Sequence, residues 1–140
     1  MQSLLGYDIK ILLALLQALK GDKKFFKFLI DNGFPELAAW SNVVRGDKDA
    51  LHWLFDNGFE PIAIITIAVD GHSKAQKWIN DTNDEFLIHF TAACKNDTEG
   101  LQWLKEKGLD IFIMIAREVK KIQDLQAKDA DFMIYNWRRR

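Results

Sequence analysis

Few residues of this chain could do chemistry, and they are widely spaced. His89 and Cys94 are the pair that most suggests nucleophilic or metal chemistry, but five positions apart on a helix is a poor spacing for a shared site. His52 and His72 belong to other parts of the chain and form no cluster with His89 by spacing. There is no phosphate-binding glycine loop, zinc signature or serine nucleophile elbow. The sequence therefore predicts a protein that is not an enzyme, with no catalytic residue, no metal site and no cofactor.

Carboxylates recur at one spacing, at Glu60, Glu85 and Asp110. Two carboxylates in adjacent units could bind a cation or act as an acid and a base. Each of them also falls at the expected start of a helix, where the positive end of the helix dipole stabilises a negative charge. Dipole compensation is the simpler explanation of their recurrence.

The recurrence is part of a repeat with a period of 25 residues. Gly21, Gly46, Gly71 and Asn96 each open a unit, and no insertion interrupts the register. A constant period over 100 residues is stronger evidence of a repeat fold than any single motif, because chance similarity does not stay in register four times. We therefore divide the single domain, 1–140, into an N-terminal half repeat, four repeats and a C-terminal cap. Their ranges are 1–20, 21–45, 46–70, 71–95, 96–120 and 121–140.

Each unit is predicted to form two short helices. Asp22, Asp47 and Asp97 stand where a side-chain oxygen caps a helix start, and we expect Ser73 to do so one place later in the third unit. The first helix should end at a residue in the left-handed conformation, which glycine and asparagine tolerate best. The residues at this position are Gly33, Gly58, Asn83 and Gly108.

The second helix of each unit has apolar or small residues in four columns at the spacing i, i+3, i+4, i+7. In the second unit these columns hold Ile62, Ile65, Thr66 and Val69. One period before the first unit, the same places hold Leu12, Leu15, Leu16 and Leu19, so residues 9–20 begin the stack. The predicted fold is an all-α superhelix, a solenoid of about four helix-pair repeats.

The register fails after Lys120, where a repeat array needs an atypical end to cover its last apolar face. Ile122 and Leu125 are expected to prolong the last helix. A closing helix is expected to follow, with the apolar residues Phe132, Met133, Tyr135 and Trp137.

Two sets of apolar residues allow both a structural and a binding interpretation. Phe28, Trp53, Trp78 and Trp103 form one column of the first helices, which we expect to be core between layers rather than a platform for a ligand. The second helices are apolar nearly all round. They are therefore either buried within the stack or exposed as a surface for a peptide, a protein or a second copy of the chain.

Composition limits which binding partners and which cellular compartment are expected. Nineteen basic and twenty acidic residues give a formal charge of -1, which disfavours nucleic acid as a partner. The single Cys94 excludes an intrachain disulfide and fits a reducing compartment, so we expect a cytoplasmic protein. The longest apolar stretch outside the N-terminal helix is too short to span a membrane, and no membrane partner is expected.

The run "EPIAIITIAVDGHSKAQKWINDTN", residues 60–83, resembles an ankyrin repeat: a proline opening a small-residue helix, then Gly-His, an amphipathic helix and a turn. The units are shorter than the roughly 33 residues of that family and lack its projecting hairpin. The resemblance covers about residues 9–120 and implies binding through a concave surface lined by the second helices.

By this resemblance the chain is expected to be a protein-protein interaction or scaffold module. The residues that it places on the binding face are Ile64, Ile67, His89, Met114 and Arg117. The alternative from the sequence is a small enzyme or ligand-binding protein that uses a cleft between the repeats and the C-terminal cap.

Overall fold

Nine α-helices and one short 3-10 helix form the secondary structure of residues 3–138, for which our computed structural model describes the backbone; side chains are described for residues 3–127. The 3-10 helix is Leu4–Gly6, and it is followed by α1 (Ile9–Leu19), α2 (Lys23–Asp31), α3 (Pro35–Val44), α4 (Lys48–Asp56), α5 (Glu60–Val69), α6 (Ser73–Asp81), α7 (Glu85–Cys94), α8 (Thr98–Glu106) and α9 (Asp110–Arg138). The fold is all-α, a solenoid of helix pairs, as the repeat predicts.

Local capping sets where the helices begin. Asp22, Asp47 and Asp97 each accept a hydrogen bond from a backbone N–H in the first turn of α2, α4 and α8, so these predicted caps are confirmed. The prediction for Ser73 is wrong, because Ser73 is already the first residue of α6. His72 takes the capping position there, and its side chain makes no capping hydrogen bond.

Left-handed residues set where the helices end. All four predicted stops have positive φ, including Asn83 at 57°, so this prediction is confirmed. The residues that open the units have the same conformation, for example Asn96 at 65°. The repeat therefore has two left-handed positions, one after each of its two helices.

The helices form a closed ring in two layers. The inner helices α1, α3, α5, α7 and α9 pack side by side in that order, and α9 also packs against α1. The outer helices lie over the gaps between them: α2 over α1 and α3, α4 over α3 and α5, α6 over α5 and α7, and α8 over α7 and α9.

The four predicted columns of the inner helices form the core of the ring. All of their residues are buried except Leu87, which is half-buried beside the buried Phe86. Trp40 lies fully within this core, and its Nε1 donates a hydrogen bond of 2.8 Å to the backbone carbonyl of Ile62 on the next inner helix. The side chains of the columns thus fill the interior of the ring.

Segments at both ends of the chain cover the openings of the ring. Leu4 and Tyr7 are buried where the inner helices begin, and Tyr7 Oη donates a hydrogen bond of 2.9 Å to Glu36 Oε1. At the opposite opening, Gln123 on α9 donates from Nε2 to the backbone carbonyl of Val69, at 2.8 Å. The last inner helix therefore continues beneath the others instead of ending with the fourth repeat.

The C-terminal segment 121–138 belongs to α9, which runs without interruption to Arg138. The residues proposed for a closing helix lie within this one helix, and their side chains are outside the described residues. They are Phe132, Met133, Tyr135 and Trp137.

The aromatic column of the outer helices is not core. Phe28, Trp53 and Trp78 are exposed, and only Trp103 is half-buried, so the expectation of interlayer core is wrong. The next residue along each outer helix is fully buried. These buried residues are Leu29, Leu54, Ile79 and Leu104.

Candidate functional site

The outer layer has one open place, between α9 and α1. The other four gaps between neighbouring inner helices are each covered by one outer helix. Within residues 3–138, no helix packs against both α9 and α1 from outside. Four repeats supply four outer helices, while the half repeat adds a fifth inner helix and so a fifth gap. We call this surface, with Ile9, Leu13, Met114 and Arg117, the open outer place.

On the α1 side, large aliphatic residues are exposed. Ile9 is 53% and Leu13 43% exposed, although both lie in a helix whose other apolar residues are mostly buried. Ala38 and Ala63 hold the place of Leu13 in α3 and α5, and both are buried. Ile88 and Ile113 hold this place in α7 and α9 and are half-buried. Sequence reasoning did not select Leu13, and this column, which has large residues in three of its five places, gave no clear signal for it.

On the α9 side, a groove of about 340 Å³ runs along α8 and α9. Met114, at its centre, is 48% exposed. We call this the end groove. Its main lining residues are Leu101, Lys105, Asp110, Ile113, Met114 and Arg117.

The same positions of the preceding inner helix are covered by an outer helix. His89 holds the place of Met114 in α7, and its ring stacks on Trp103 of α8 with centroids 4.6 Å apart and an interplanar angle of 3°. Gly100 of α8 lies so close that an added Cβ would be 2.6 Å from the carbonyl oxygen of His89. Met114 and Arg117 therefore lie on the kind of surface that receives an outer helix elsewhere in the ring.

The five residues predicted for partner binding differ in exposure. Ile64, Ile67 and His89 are half-buried on α5 and α7, each of which packs against the outer helix that follows it. Met114 and Arg117 are exposed and lie together in the end groove. The difference arises because α9 has no outer helix after it.

The exposed face of α9 includes two basic residues, Arg117 and Lys121, one turn apart. Lys105 also lines the end groove, together with Arg117. Lys120 is paired with Asp124 at 3.1 Å, but among the described side chains neither Arg117 nor Lys121 makes an ion pair. Asp110 is the one acidic residue lining the end groove. The surface is therefore suited to a partner with acidic side chains.

The residues with reactive groups are separated or held in structural roles. Cys94 is fully buried, and burial raises the pKa of its thiol, so the thiolate is not formed at neutral pH. His89 Nδ1 is 2.7 Å from the carbonyl oxygen of Glu85, and the ring stacks on Trp103, away from the core that holds Cys94. Glu60, Glu85 and Asp110 lie in the first turns of their helices.

The described part of the chain has neither a group of metal ligands nor a membrane-spanning helix. Among those residues, no three His, Cys, Asp or Glu side chains are grouped so that they could hold a metal ion. In the same part of the chain, no helix combines the length and apolar character needed to cross a membrane.

Comparisons with protein-family models, with curated proteins and with solved structures found no match to this chain. The functional argument therefore rests on the geometry of the chain itself, and above all on the open outer place.

Proposed function

We propose that this protein is a protein-protein interaction module that binds an α-helix of its partner in the open outer place. The observation that carries the proposal is the missing fifth outer helix. Where an outer helix is present, the side chains beneath it are covered, and where it is missing, Ile9, Leu13 and Met114 are exposed. Exposed apolar residues on two adjacent helices are typical of a protein interface.

The outer helices of the chain itself indicate what kind of helix fits. Each of the four spans nine residues, is amphipathic and turns an apolar face toward two inner helices. A partner helix of similar length would cover the same kind of surface between α9 and α1. Acidic residues along the edge of the partner helix would face Arg117 and Lys121. These opposite charges would fix the orientation of the bound helix and make binding specific for acidic partners.

The resemblance to ankyrin repeats supports the same class of function, because it implies binding without chemistry. Our proposal differs from that resemblance in the surface. The inner helices enclose a filled core, so binding is assigned to the outer wall of the ring rather than to a hollow side.

Affinity capture with paired variants tests the proposal. Leu13→Ser with Met114→Ser should abolish recovery of the partner and leave the unfolding temperature nearly unchanged, since both side chains are already exposed. The matched control is Trp53→Ser, which removes a similarly exposed apolar residue from α4, a helix that lies over α3 and α5 and not beside the open outer place. This control should retain the partner.

Charge-reversal variants of this chain give a second test, in which their binding to the purified partner is measured. Arg117→Glu with Lys121→Glu should weaken binding and reduce its salt dependence, while Lys48→Glu on α4 should do neither. Recovery of the same proteins by wild type and by the Leu13 and Met114 variant would contradict the proposal. So would loss of the partner in the α4 control alone.

A further inference from the structure

An apolar pocket of about 260 Å³ lies beside Trp78, near the opening of the ring where the inner helices begin. It is formed by α5, α6 and α7, and so it is separate from the end groove between α8 and α9. We call it the Trp78 pocket. The residues that shape it are Leu4, Pro61, Ile62, Trp78, Phe86 and Leu87.

The pocket coincides with a break in the repeat. Phe34 and Phe59 precede α3 and α5, but Asp84 holds this position before α7. In the second unit the ring of Phe59 stacks on Trp53, with centroids 6.0 Å apart and an interplanar angle of 10°. Trp78 holds the place of Trp53 one period later, where Asp84 offers no ring.

Asp84 has a different local role. It caps α7, and its side chain accepts a hydrogen bond of 3.1 Å from the backbone N–H of Leu87. An aromatic side chain at this position would instead lie beside the indole, as Phe59 does in the second unit. The unit therefore lacks one aromatic ring beside Trp78, and Trp78 is exposed.

The N-terminal segment does not take the place of this ring. Leu4 is buried and forms part of the pocket wall, so it bounds the space without filling it. Tyr7, the nearest aromatic residue of that segment, packs edge-on against Phe34 and donates its hydroxyl hydrogen bond to Glu36. Neither residue therefore places an aromatic ring beside Trp78.

We propose that the Trp78 pocket binds an aromatic side chain of a partner polypeptide, which stacks on Trp78 as Phe59 stacks on Trp53. Seven of the ten residues lining the pocket are apolar, which suits a phenyl ring, and Ser3, Thr82 and Asp84 are the polar ones. The exposed carboxylate of Asp84 at its rim favours a basic residue next to the aromatic one. The proposal does not depend on the open outer place, which other helices form.

Chemical-shift titration of the full chain tests this site with defined probes. The probe is the peptide acetyl-Lys-Phe-Lys-amide, and the matched peptide has leucine in place of phenylalanine. The indole N–H of Trp78 and the methyl groups of Ile62 should shift with the phenylalanine peptide, and the leucine peptide should bind about fivefold more weakly.

A variant taken from the chain's own repeat provides the decisive comparison. Asp84→Phe restores the residue of the first two units and should fill the pocket and abolish peptide binding. Trp78→Leu removes the stacking surface and should also weaken binding about fivefold, which keeps the test valid if the first variant folds poorly. Asp84→Asn should retain the preference for phenylalanine over leucine.

Three results would overturn the inference. They are equal binding of the phenylalanine and leucine peptides, unchanged binding by a folded Asp84→Phe variant, and shifts that avoid the residues of the pocket. Binding of free indole as tight as that of the peptide would also overturn it, because the pocket would then serve a small aromatic ligand and not a polypeptide.

Discussion

One buried hydroxyl in the ring has no hydrogen-bond partner. Ser41 and Thr66 occupy the same column of the inner helices, and each donates to the carbonyl oxygen three residues earlier, at 2.8 Å and 2.6 Å. Thr91 holds that place in α7, is fully buried and, among the described residues, its Oγ1 has no partner. A buried hydroxyl without a partner lowers the stability of the folded chain.

Thr91→Val should therefore raise the free energy of unfolding by about 1–2 kcal/mol. The replacement keeps the shape of the side chain and removes the unpaired oxygen. Thr66→Val is the matched control, because it removes a hydroxyl that is hydrogen-bonded and should leave stability unchanged or lower. Urea unfolding measures both variants, and equal effects of the two would contradict the assignment.

Tyr7 should make stability depend on alkaline pH. Burial raises its pKa above the ordinary value of 10.0, and the hydrogen bond to Glu36 and the charge of Glu36 raise it further. The folded chain thus favours the protonated phenol. The stability that this contributes is complete below about pH 10 and is lost as the pH rises above that value.

Tyr7→Phe isolates this effect in urea unfolding from pH 7 to 11. At pH 7 the variant should be less stable by about 1–3 kcal/mol, because Glu36 loses its hydrogen-bond donor. Above pH 10 the stability of wild type should fall more steeply than that of the variant. Parallel curves for the two proteins over the whole range would contradict the assignment.

At the scale of the element, α8 packs on α7 more closely than a side chain would allow. Gly100 is in the first turn of α8, and within helices glycine is less favourable than alanine by up to about 1 kcal/mol. A Cβ there would meet the carbonyl oxygen of His89 at 2.6 Å and the backbone nitrogen of Ala93 at 2.7 Å. Close packing of backbone on backbone therefore explains a glycine that helix propensity does not.

Gly100→Ala should lower the free energy of unfolding by about 1–3 kcal/mol, in spite of the gain in helix propensity. The clash is with backbone atoms, which cannot move aside without shifting α7. Gly100→Ser should be at least as harmful. Thermal and urea unfolding measure the effect, and a variant more stable than wild type would show that the two helices lie farther apart.

The starts and ends of the helices could be predicted from the sequence. Which residue of each outer helix faces the core could not. Asp47 and Gly58 mark the ends of α4 by local chemistry that acts within one turn. Whether Trp53 or Leu54 faces the core depends on where the neighbouring inner helices lie. Both residues are apolar, so hydrophobic pattern alone did not decide between them.

At the scale of the whole molecule, the 25-residue period predicted the number of units but not their closure into a ring. A period shows that each unit offers the next the same surface, and it does not give the angle between units. That angle brings α9 against α1 and leaves Leu13 and Met114 exposed on adjacent inner helices. Two of the five predicted binding residues, Met114 and Arg117, lie at this place, while the α1 side was missed.

The central claim is that α9 packs against α1, since the open outer place exists only if the ring is closed. Spin labels at Leu13→Cys and Met114→Cys measure this directly by electron paramagnetic resonance, and the buried Cys94 needs no replacement. Closure predicts one short distance, typical of labels on neighbouring helices. An open array would separate the labels by four helix spacings, about 40 Å in all, and that result would contradict the account.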